Sequence, residues 1–87
     1  MRSVAIQSII EGADVTNTKV IVNPKKSIAI QEALLDRGWM WKGGQMEVLN
    51  TGRKYLFLRK GNKMQYGSSF YPDLFKDDEA VRISVKL

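Results

Sequence analysis

The segment "NPKKSIAIQEALLDRG", residues 23–38, is the clearest helical stretch of the chain, and it limits what the rest can become. Asn23 has a side chain that accepts a free backbone N–H at a helix start. Pro24 suits the first helical position, where its missing N–H costs no hydrogen bond. Ser27 with Gln31 offers an alternative start one turn later. Good helix formers follow. Ile30 and Leu34 are four apart, and Ile28 and Leu35 seven apart; with Gln31 and Ala33 between them they make one apolar face. Gly38 supplies a left-handed stop after Arg37. The expectation is one main helix over about residues 24–37. Its apolar face needs a sheet or a second helix to cover it.

The flanking segments supply strands. "SVAIQSII" alternates and is β-branched, so a first strand is expected there. Gly12, Asp14 and Asn17 in "EGADVTN" read as a turn, and "TKVIVN" as a second strand paired antiparallel with the first. "WMWK" reads as a short strand closed by Gly43 and Gly44, and "QMEVLNTG" as its extension or a turn. "YLFL", residues 55–58, is apolar on both faces and suits a central strand. Gly61-Asn62 then suits a tight hairpin turn. "SSFYPDLFKDD" reads as loop with one helical turn, its Phe70, Tyr71, Leu74 and Phe75 tucked over the core edge. "EAVRISVKL" closes as a half-buried strand with Val81, Ile83 and Val85 facing inward. The fold class expected is α+β: an antiparallel sheet of about five or six strands with the helix packed on one face. The 87 residues make a single domain, 1–87.

Composition narrows function by exclusion. The chain has neither cysteine nor histidine, which removes disulfides, the usual zinc ligands and the usual neutral-pH acid–base group. Glu32 and Asp36 share a helix face that reads as solvated. The acids Asp73, Asp77, Asp78 and Glu79 lack the spacing of a calcium loop. "KGG" and "KGN" are too short to cradle a phosphate. A non-enzyme with no cofactor and no metal is expected. No apolar run is long enough to span a membrane, and the N-terminus lacks the apolar core of a signal peptide, so a cytoplasmic protein is expected.

Fourteen Lys and Arg against nine Asp and Glu give a net charge of +5, which favours anionic partners. From Arg53 to Gly67 there are five basic residues and no acid: Arg53, Lys54, Arg59, Lys60 and Lys63. Tyr55, Phe57 and Tyr66 are interleaved. A sheet that offers rings for base stacking and basic groups for phosphates is one way to bind RNA or single-stranded DNA. The structural alternative buries Tyr55 and Phe57 under the helix. Trp39 and Trp41 point to the same side of their strand. They are core if that side meets the helix, and an exposed contact patch if it does not. With Tyr66 they form the expected contact set for a protein partner. An exposed sheet edge also offers a route to a homodimer.

The run "VIVNPKKSIAIQEALLDRGWMWKGG" resembles small early or accessory proteins of tailed phages. The pattern is strand, cap, helix with Ser and a Gln-Glu pair, then Leu-x-x-Gly-aromatic-x-Trp, followed by a "YLFL" strand and a closing strand. Val22, Ser27, Gln31, Glu32, Leu35, Gly38, Trp39 and Trp41 carry it, and it extends over residues 18–87. The resemblance implies a phage origin and action by binding. The first expectation is therefore a non-catalytic accessory protein that binds and inhibits a host or anti-phage defence component. The alternative is an RNA- or single-stranded nucleic-acid-binding module that uses the basic hairpin 53–67. The pattern assigns no functional residue.

Overall fold

The computed structural model describes residues 1–87 as six strands and three helices. β1 (Arg2–Ala5) leads into α1 (Ile6–Ile10), and β2 (Thr18–Ile21) into α2 (Pro24–Leu35). β3 (Met40–Trp41) leads into a long loop, then β4 (Tyr55–Arg59) and β5 (Lys63–Gly67) form a hairpin. α3 (Pro72–Asp77) and β6 (Val81–Lys86) end the chain. One sheet holds all six strands in the order β1-β6-β2-β4-β5-β3.

The class is α+β, but the sheet is mixed. β2–β4 and β4–β5 are antiparallel, whereas β1–β6, β2–β6 and β3–β5 are parallel. This corrects the expected antiparallel sheet and the expected pairing of the first two strands. β6 inserts between β1 and β2, so those two never touch. Alternation reports which side chains share a face, not which strand lies alongside. The first strand is also shorter than its pattern suggested. It stops at Ala5, and Ile6–Ile10 turn into α1, which buries Ile9. That crossover allows β1 and β2 to run the same way. A helix of five residues is too short to show its period against the alternation around it.

α2 forms for the expected reasons. The Asn23 side chain accepts the Lys26 N–H at 2.8 Å. Gly38 takes φ +85°, and the N–H groups of Gly38 and Trp39 donate to Leu35 and Leu34 at 3.0 Å. The helix ends at Leu35 and residues 36–38 form the stop. Its buried face is largely the one expected: Ile30, Gln31, Ala33 and Leu34 are buried and Leu35 packs against the core, while Ile28 is exposed and Ser27 is buried as well. The buried amide is fully used. Gln31 Nε2 donates to Ser27 Oγ at 2.9 Å and Leu49 O at 2.7 Å, and its Oε1 accepts the Leu49 N–H at 2.8 Å. It pairs like a piece of backbone and fastens the β3–β4 loop to the helix.

α1 and α2 cover one face of the sheet. Ile9, Ile30 and Leu34 meet Val20, Leu56, Leu58, Met64, Ile83 and Val85 there in the main core. α3 lies on the opposite face, where Phe75 packs on Tyr55 and Phe57. Only Phe75 of its segment tucks in; Phe70, Tyr71 and Leu74 stay exposed, and so does Val81 on β6. β4 is central as expected, which is why "YLFL" is apolar on both sides. The hairpin turn spans Lys60 to Asn62, since Arg59 pairs with Lys63. No helix is long and apolar enough to cross a membrane.

Candidate nucleic-acid interface

Strand register decides which expected site residues can act together. Trp41 pairs with Met64, whose side chain is in the main core, so Trp41 points at the helices, and Trp39 does too. They are 2% and 4% exposed for Trp39 and Trp41 respectively, and Trp41 Nε1 donates to Glu47 O at 3.0 Å. This corrects the expected contact set: neither tryptophan presents a surface to a partner. Tyr66 is partly open, but its ring meets Trp41 edge-on at 6.4 Å, and the Arg53 guanidinium lies 4.9 Å over it.

The five basic residues of the hairpin do not form one patch. Arg53 and Lys54 lie before β4, and Lys60 and Lys63 lie at its other end, about 20 Å away at the rise of a strand. The Lys54 ammonium sits 5.6 Å from the Tyr55 ring. Arg59 is already engaged. Its Nη1 and Nη2 donate to the two carboxylate oxygens of Asp78 at 2.9 and 2.8 Å, and its Nε to Gln65 Oε1 at 3.1 Å. The hydrogen bonds from Arg59 hold the Asp78 carboxyl below its ordinary range, against the opposing effect of burial. The Ala80 N–H, donating to Asp78 at 2.9 Å, acts in the same direction. Asp78 therefore closes an ion pair, and Asp77, Asp78 and Glu79 do not gather into a metal-holding cluster.

Tyr55 and Phe57 are no stacking platform either. Tyr55 stacks on Phe75 with centroids 4.6 Å apart, and Phe57 meets the same ring at 5.6 Å. The cover is held by Lys19, a charged residue of β2 that the structure buries. Its ammonium donates to the carbonyl oxygens of Phe75, Lys76 and Asp78 at 2.5, 3.0 and 2.9 Å. Three donors meet three acceptors at the C-terminal end of α3, where a cation is favoured. Arg37 does the same for α1 through the carbonyls of Ile9 and Ala13, at 3.2 and 2.9 Å.

What does converge is a hollow of about 380 Å³ on the α3 side of the sheet, at the hairpin end. Asn17, Lys42, Arg59, Lys60, Lys63 and Gln65 line it, with no acid and no apolar side chain. Arg59–Asp78 is the one salt bridge in the protein, so Lys42, Lys60 and Lys63 have no carboxylate partner. Lys60 and Lys63 were expected here; Lys42 was not. It follows β3, and Met40 pairs with Lys63, so the parallel β3–β5 contact brings Lys42 beside the hairpin. No sequence signal marks that pairing. A glycine shapes the neighbouring floor: a Cβ on Gly67 would come within 2.9 Å of the Phe57 ring. In comparisons with known protein families, curated proteins and solved structures, nothing matches the chain.

Proposed function

We propose that the protein is a non-catalytic nucleic-acid-binding module that holds a phosphate backbone in the hollow rimmed by Lys42, Lys60 and Lys63. The observation that supports this reading is the convergence of three lysines without a carboxylate among them. Like charges held together repel, and a polyanion relieves the repulsion while releasing its own counterions. Asn17 and Gln65 add polar side chains able to hydrogen-bond phosphate or sugar oxygens. The test is a salt titration of the binding of a labelled mixed-sequence oligonucleotide. Three phosphate contacts on a single strand give a log–log slope of about −2, or about a twentyfold loss of affinity from about 50 to 200 mM salt. No binding at low salt rejects the reading.

A second reading keeps a protein partner, such as the host or defence component that the phage resemblance implies. It rests on Phe70, Tyr71 and Leu74, which are 84%, 62% and 68% exposed on one short segment. Apolar side chains presented together suit a docking surface. In that reading the lysines attract an acidic protein, and the oligonucleotide titration separates the two.

A further inference from the structure

We infer that a second hollow, next to the lysines, seats an unpaired nucleobase, so that the ligand is single-stranded nucleic acid. The inference rests on the reading of the lysines as phosphate contacts and deepens it. The second hollow, of about 280 Å³, lies between α3 and the β4–β5 hairpin. Arg59 and Gln65 line both hollows, so the two share a wall. A phosphate on one side of that wall and its base on the other is the arrangement of one nucleotide in a splayed strand.

Three features of the second hollow suit a base. Tyr71 walls it, is 62% exposed, and stacks on no other ring of the protein. Every other tyrosine is occupied: Tyr55 by Phe75, and Tyr66 by Trp41 and Arg53. Leu74 flanks Tyr71, adding an apolar surface for a flat ring. The polar end is set as well. Gln65 Oε1 takes the Arg59 Nε–H at 3.1 Å, which fixes the amide and leaves Nε2 with no partner in the protein. A fixed amide N–H₂ suits a base carbonyl or ring nitrogen. The Arg59 guanidinium, tied on all three nitrogens and 4.4 Å from the Phe57 ring, is a rigid partition rather than a mobile phosphate contact. A duplex keeps its bases stacked and paired, so it cannot fill this seat without unstacking one.

The experiment measures binding by fluorescence anisotropy at one low salt concentration with three kinds of probe. They are a mixed-sequence single strand, made as RNA and as DNA, an abasic phosphodiester strand of the same length, and a duplex. Stacking of one base is worth about 1–3 kcal/mol, so the intact strand should bind about 5- to 150-fold more tightly than the abasic one. Tyr71→Ala should remove that advantage and leave abasic binding unchanged, while Tyr71→Phe retains it. Tighter binding by RNA or by DNA then names the strand. Equal binding of intact and abasic strands, with the separate salt titration still steep, overturns the base seat and leaves the phosphate reading standing. Equal losses on both strands from Tyr71→Ala also overturn it, and so does a duplex that binds as well as the intact single strand. If no probe binds, the phosphate reading fails and takes the base seat with it.

Discussion

The two faces of the sheet are built by different means. The face under α1 and α2 carries a continuous cluster of fourteen buried apolar residues, with Trp39 and Trp41 among them. The face under α3 has an apolar cluster of three, Tyr55, Phe57 and Phe75. Around that small cluster, cations do the fastening: Lys19 on the carbonyls of α3 and Arg59 on Asp78. The first face supplies most of the burial that stabilises a small domain. The second face buries less, leaves lysines without partners, and contains both hollows. A sheet this small can expose polar groups on one side because the other side holds the fold.

Breaking each face in turn sharpens the contrast. Trp39→Ala should be the most damaging change, at about 3–5 kcal/mol, because it removes one of the largest buried rings from the main core. Phe75→Ala should cost less, about 1–3 kcal/mol, because the cluster it holds together has only three buried members. Urea denaturation of both variants measures the difference, and equal losses would refute the idea that the faces are unequal.

Lys19→Met tests the fastening alone. It keeps the aliphatic stem but strips three hydrogen bonds from the end of α3. A loss of about 1–3 kcal/mol is expected. It should be local: amide exchange should speed up across residues 72–80 and stay slow in β2 and β4. Uniform acceleration over the whole sheet would show instead that α3 is integral to the main core.

The smallest effect comes from pH. The folded Asp78 carboxyl titrates below its unfolded value, chiefly through the hydrogen bonds from Arg59. Its contribution is present in full above the unfolded aspartate value of about 3.9, and is lost as pH falls through the lower folded value. Asp78→Asn should therefore be less stable than the native chain at neutral pH, by about 1 kcal/mol. The gap should close as the medium is acidified. A gap that stays constant from neutral to acid pH would mean that the ion pair adds nothing.

Local signals located α2, the β4–β5 hairpin and the double-sided β4, because capping, helix stop and apolar run are written within a few residues of each other. The basic stretch 53–63 was equally visible, yet as a string it suggested one patch where the strand separates two. The burial of Lys19 was not legible, and neither was what Gln31, already placed on the apolar helix face, would bond there. Their partners, the carbonyls after Phe75 and the backbone of Leu49, are distant in the chain. Tyr71 was grouped with Phe70, Leu74 and Phe75 because composition cannot tell which ring of an aromatic segment turns inward.

The sequence alone determined the α+β class, the place of the main helix and its ends, the excess of positive charge, and the lack of cysteine and histidine. These follow from residue chemistry and short-range spacing, which need no knowledge of partners. Tertiary structure decided that β6 enters between β1 and β2, that β3 lies along β5, and that both tryptophans face the helices. Through those pairings it also gathered Lys42, Lys60 and Lys63 around one hollow and set Tyr71 and Gln65 beside it. Strand order and register are long-range choices, set by which surfaces bury best together, and alternation within a single strand carries no record of its neighbour.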